Sequence, residues 1–139
     1  LEDDLANTDA DWIIAFMHHP VYSSGSHGNT NWLHEVVVPL LEEYGVDLVL
    51  AGHDHHYERT PRILRQVVTP PETWGPTYIV AGAGGAGMRD APGDWWTEAV
   101  NDQVNSFLHL EIDGCTGTGT AIDLEGNVID SFTLEGCDR

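Results

Sequence analysis

Lysine is absent from these 139 residues, and arginine occurs only five times against 23 aspartates and glutamates, for a formal charge of −18. Such a surface repels phosphate backbones and anionic bilayers, so no nucleic acid or membrane partner held by basic side chains is expected. An anionic substrate would need something other than Lys or Arg to hold it, and a metal ion meets that need. Long apolar runs are missing too. None approaches the ~20 residues that cross a bilayer, and the opening LEDDLANTDAD is acidic where a leader is basic and then apolar, so the chain reads as soluble. Cysteine is scarce: Cys115 and Cys137 have no CxxC partner and no nearby histidine. That spacing fits a structural zinc site poorly. It leaves a disulfide, stabilising by roughly 3 kcal/mol, or two inert buried thiols; a disulfide would favour export to an oxidising compartment. The acid excess fits either a high-salt setting or an acidic secreted protein.

What is present is enough for one domain, with 41% hydrophobic residues. DWIIAF, residues 11 to 16, is a short apolar run that reads as a strand buried on both faces. Residues 20 to 31 form a loop by composition. Leu33, Val36, Val37, Leu40, Leu41 and Tyr44 then share one helical face, with Asn31 as N-cap, Gly45 as the stop, and Pro39 kinking the helix or starting a second short one. VDLVLA, residues 46 to 51, is a second buried strand. Strand, helix, strand predicts a βαβ unit with parallel strands. TYIVAGAGGAG, residues 77 to 87, is a third strand running into glycines; no GxxxxGK[ST] pattern follows, so the glycines read as a close-packed turn. SFLHLEID, GTGTAID and NVIDSFTL alternate apolar and polar residues, with turns at Asp113-Gly114 and Gly126-Asn127, and predict an antiparallel meander.

Histidine is concentrated where the strands end. His18 and His19 follow the first, and His53, His55 and His56 follow the second, in AGHDHHYER. Ligands in parallel sheets bind beyond the carboxyl ends of the strands. In an extended stretch His53 and His55 point the same way and Asp54 points elsewhere; imidazole suits zinc and iron, and His18 on the neighbouring strand end adds a further donor. His56 is expected to face solvent. His34 and His109 read as hydrogen-bonded surface or core residues.

MHHPVYSSGSHG, followed 35 residues after His18 by GHDHHYER, resembles the calcineurin-like metallophosphoesterases, and within them the purple acid phosphatase branch. The resemblance runs from Leu1 to about Leu134. It implies an α/β fold, half of a metallophosphoesterase αββα sandwich, in which a βαβ unit precedes an antiparallel β meander. It implies that His18 and His53 bind one metal and His55 a second, that His27 contacts the substrate phosphate or protonates the leaving group, and that His19, Tyr57, Glu58 and Arg59 orient the ligands. The cofactors implied are two transition-metal ions, iron with zinc, manganese or a second iron. By the same resemblance, such a pair would share a hydroxide able to attack phosphorus in line.

The same family draws its other ligands from Gly-Asp-x-x-Tyr and Gly-Asn-His-Glu or Asp motifs, and neither is in this sequence. Residues 1–139 are therefore expected to be the C-terminal half of a catalytic domain. Alone the chain is expected to be inactive, needing the N-terminal half in cis or as a second chain. The resemblance makes the activity hydrolysis of phosphate monoesters, in an extracellular or periplasmic enzyme. A phosphodiesterase or nucleotidase of the same superfamily, or a noncatalytic metal-binding remnant, is the alternative; His27 favours the enzyme, because a storage site has no use for it.

Overall fold

The computed structural model describes residues 1–137. Helix α1 (Glu2–Ala6) leads to strand β1 (Ile14–Met17), helices α2 (Asn31–Val36) and α3 (Val38–Glu43), and strand β2 (Leu48–Ala51). Strands β3 (Tyr57–Leu64), β4 (Val67–Val68), β5 (Thr77–Ala81) and β6 (Ala99–Asn101) follow, then β7 (Ser106–Asp113), β8 (Thr116–Asp123) and β9 (Val128–Glu135). The first sheet runs β1-β2-β5-β3-β4, with β6 also on β3; the second is β7-β8-β9.

The expected βαβ unit forms, with β1 parallel to β2 in the register Ile14 to Leu48 and β2 parallel to β5. Successive side chains of the central strands go to opposite sides. Val49 and Tyr78 pack with Leu33, Val38 and Leu41 under the helices. Leu48 and Ile79 pack with Ala121 and Phe132 of the meander. The chain is thus a helical layer, a mixed sheet and a second sheet, with the meander strands as predicted.

Several local expectations are corrected. β1 is not buried on both faces: it ends the strand order, and Phe16 is 85% exposed because no described residue covers it. The helix breaks at Val37, as Pro39 requires. Thr30, not Asn31, is the N-cap, since Asn31 already lies in the helix. The break resets the helical phase, so Val38 is buried where Val36 is exposed. Gly45 ends the second helix at φ 72°, a left-handed conformation that glycine adopts freely.

Strands β3 and β4 were not expected. Pro61 speaks against a strand interior, and the structure accommodates it with a register shift between Arg59 and Arg62, where Thr60 Oγ1 takes the Tyr78 N–H at 3.0 Å. The β3–β4 turn uses Arg65 and Gln66, both at positive φ. Two-residue hairpin turns of that kind usually advertise themselves with Asn-Gly, so the signal was missing.

Candidate active site

β1, β2 and β5 end side by side, and the turns leaving them line an open cleft of about 610 Å³ that includes His18, His27, His53, His55, Gly82 and Arg89. Residues 53 to 56 are not extended as expected. His53 sits at φ 67°, an uncommon conformation for a non-glycine residue and one that recurs at functional sites. The parity survives the bend: His53 and His55 line the cleft while Asp54 and His56 are 0% exposed. His56 therefore does not face solvent. The side opposite the cleft is core, and there His56 Nε2 donates to Glu58 Oε2 at 3.0 Å.

His18 Nε2 and His53 Nδ1 stand 3.1 Å apart. Two imidazole nitrogens each about 2.0–2.1 Å from one ion, at right to tetrahedral angles, lie roughly 2.9–3.4 Å apart, so this pair fits a shared cation. His55 Nδ1 is 2.8 Å from the Gly87 carbonyl. A carbonyl only accepts, so the proton is on Nδ1 and the Nε2 lone pair is free, the usual arrangement of a metal-ligating histidine. Among the described residues no three His, Cys, Asp or Glu side chains converge on one point. The chain thus offers part of a donor set. Burial and the imidazoles of His19, His27 and His18 hold the His53 ring below its ordinary pKa, which suits a neutral donor. His19 is exposed, its ring 4.4 Å from that of His53.

His27 reaches the same place from the loop after β1, its ring 4.3 Å from His53. The residue that holds it is Asp54, whose Oδ1 lies 2.7 Å from His27 Nδ1 and 3.3 Å from its backbone N, while Oδ2 accepts the Ser23 hydroxyl at 2.6 Å. Burial raises the Asp54 carboxyl, but the hydrogen bonds from Ser23 and His27 outweigh it and hold the pKa below the usual carboxylate value. A carboxylate at that distance keeps the proton on Nδ1 and leaves Nε2 to face the cleft. Sequence reasoning missed Asp54 because it lies on the alternate, buried parity of the histidine turn.

β3 divides the remaining expected residues. Glu58 accepts from Ser24 N and Oγ at 2.8 and 2.9 Å, from Thr97 Oγ1 at 2.5 Å and from Trp96, and so ties the His27 loop to the 93–97 loop. Tyr57 and Arg59 are not brought to the histidines. Their side chains leave the opposite face of β3 and bond Asp130 of the meander, each at 2.7 Å. Arg89 is a further residue that sequence reasoning passed over: it lines the cleft, where the composition led to the expectation that something other than Lys or Arg would hold an anion.

Residues 1–57 match the family model described as calcineurin-like phosphoesterase. The proteins to which the chain is similar include purple acid phosphatases. It is 39% identical over 90 residues to purple acid phosphatase 23 of Arabidopsis thaliana, a match covering 61% of this chain and 19% of that protein. It is 28% identical over 134 residues to tartrate-resistant acid phosphatase type 5 of Homo sapiens, covering 91% of this chain and 38% of that one. The structure of purple acid phosphatase PPD1 from yellow lupin seeds superposes with a TM-score of 0.82 at 28% identity, over 96% of this chain and 27% of the other. The chain thus spans only 19% to 38% of the length of these relatives.

Proposed function

We propose that residues 1–139 are the C-terminal half of a metallophosphoesterase catalytic domain that hydrolyses phosphate monoesters, with the N-terminal half supplied in cis or by a second chain. The observation that carries this reading is the 3.1 Å approach of His18 Nε2 and His53 Nδ1 from adjacent strand ends, with the His27 ring packed 4.3 Å from that of His53. His18 and His53 would hold one ion and His55 a second, of iron with zinc, manganese or iron. When bound, such ions supply Lewis-acid charge neutralisation at phosphorus and ease deprotonation of water. His27 Nε2 delivers a proton to the departing alkoxide oxygen, while Asp54 holds the ring by Nδ1 and stabilises its cationic form. The edge of β1, unpaired among the described residues, and exposed Phe16 support a covering segment there, since bare sheet edges are normally paired or blocked. The disulfide Cys115–Cys137 supports an exported protein.

The test joins this chain to the preceding half-domain, loads metal, and follows hydrolysis of p-nitrophenyl phosphate. Turnover is expected in the joined protein and not in the chain alone; full metal-dependent turnover by the chain alone would sink the half-domain reading. His27→Ala should lower kcat by about 10²–10⁴ with metal content unchanged. Equal turnover with and without His27 would remove its assigned role.

A further inference from the structure

Arg89 stands where the composition led to the expectation that something other than Lys or Arg would hold an anion. Of the described arginines, Arg59 is bound by Asp130 and Glu98, Arg62 donates to the Glu135 carbonyl, and Arg65 lies in the exposed β3–β4 turn. Arg89 lines the cleft, its side chain 35% exposed. Its backbone N–H donates to His55 O at 3.1 Å, which pins it to the histidine turn.

The guanidinium is poorly served there. Its contacts among the described residues all pass through Nη1: to the His53 carbonyl at 3.2 Å, to His27 Nδ1 at 3.0 Å and Nε2 at 3.5 Å, and to Asp54 Oδ1 at 3.9 Å. Asp54 Oδ1 already receives two N–H groups from His27. His27 Nδ1 carries its proton toward Asp54, so Arg89 meets it donor against donor. A chain of net charge −18 thus keeps one cation among imidazoles, with Nε and Nη2 unbonded to described residues. An anion in the cleft would relieve both conflicts. The flat fork of a guanidinium matches two oxygens of a phosphoryl group.

We propose that Arg89 grips the non-reacting oxygens of a phosphoryl group in the cleft, and so selects a terminal phosphate, which offers more free oxygens than a diester. The inference rests on the phosphoesterase reading above. Arg89, His27 and the strand-end histidines line the one cleft that would hold the anion. Gly84 and Gly85 line the same cleft and leave room there, since a Cβ at either would meet nothing within 4 Å.

The test titrates inorganic phosphate into the chain and reads the Arg89 Nε–Hε and His27 ring resonances by NMR. Saturable shifts are expected. The apparent Kd should be weakened about tenfold or more in Arg89→Gln, partly recovered in Arg89→Lys, and unmoved in Arg62→Gln. Near-UV circular dichroism of buried Trp96 checks that each variant is folded. Wild-type affinity in Arg89→Gln, or phosphate that leaves the Arg89 resonance still, overturns the proposal. In the joined, metal-loaded protein, Arg89→Gln should raise KM for a monoester more than for a diester. Hydrolysis with unchanged KM for both would sink the role of Arg89 and leave the phosphoesterase reading standing. Arg89-dependent phosphate binding in a joined protein that hydrolyses no phosphate ester would sink that reading and keep Arg89 as an anion anchor.

Discussion

At the scale of single residues, the histidine turn depends on two backbones touching. A Cβ at Gly82 would lie 1.8 Å from the Asp54 carbonyl oxygen, and one at Gly25 would meet His56 and Asp54 at 2.7 to 2.9 Å. Gly82 therefore lets β5 end directly against the turn that carries His53 and His55. Gly82→Ala is expected to cost roughly 1–3 kcal/mol or more, as overpacking does, whereas Gly84→Ala, with open space around it, should stay within about 0.5 kcal/mol. Urea denaturation of both variants checks this; equal midpoints would show that the contact does not constrain the turn. The glycines were legible as a tight turn, but nothing in the letters distinguishes Gly82 from Gly84. That difference arises from which neighbour is packed above each.

At the scale of elements, β3 joins the two sheets through a charged group. Asp130 of β9 accepts from Tyr57 Oη, Arg59 Nε and Arg59 Nη2, and Arg59 lies 4.8 Å over the Phe132 ring. Burial raises the Asp130 carboxyl, but the hydrogen bonds from Arg59 and Tyr57 outweigh that and hold it below its ordinary value. A carboxylate depressed in the folded state adds stability that is fully present above the unfolded pKa of about 4. It is lost as pH falls from there through the folded value. Asp130→Asn should cost on the order of 3–5 kcal/mol near neutrality, because Arg59 loses its main partner. The gap between variant and wild type should close as pH drops below about 4. Urea midpoints against pH measure it, and a gap constant down to pH 2 would refute the linkage. The motif YER was legible as something that supports the histidines. Glu58 instead reaches buried His56 and Ser24 of the His27 loop, while Tyr57 and Arg59 go to the sheet junction, since alternate residues of a strand face opposite sides.

At the scale of the whole molecule, the region before β1 is tied to the end of the meander. The Trp12 indole lies against Gly117 and Gly136, where any Cβ would approach it within 2.5 to 2.7 Å, and its Nε1 donates to Gly114 O at 2.9 Å. Close by, Cys115 and Cys137 form a disulfide across a separation of 22 residues. Both are exposed rather than buried. Reduction should lower stability by about 3 kcal/mol on the loop-entropy estimate and change Trp12 fluorescence, leaving the histidine cleft at the far strand ends in place. Thermal melts with and without reductant, with phosphate binding measured alongside, check both parts. Loss of phosphate binding on reduction would show that the two ends of the molecule are coupled.

The parallel βαβ unit, the meander and the placement of His18, His53 and His55 at one rim were legible in the letters, because strand periodicity and connection rules act over short separations. It also carried the likeness to the metallophosphoesterases, since the histidine motifs are contiguous. That His56 is core, that Asp54 holds His27, that Tyr57 and Arg59 belong to the sheet junction, and that Arg89 enters the cleft emerged from the folded chain. Each of those depends on which residues meet across 27 to 73 positions of chain, as in His27 to Asp54 and Tyr57 to Asp130. Local patterning carries no information about such meetings; packing does.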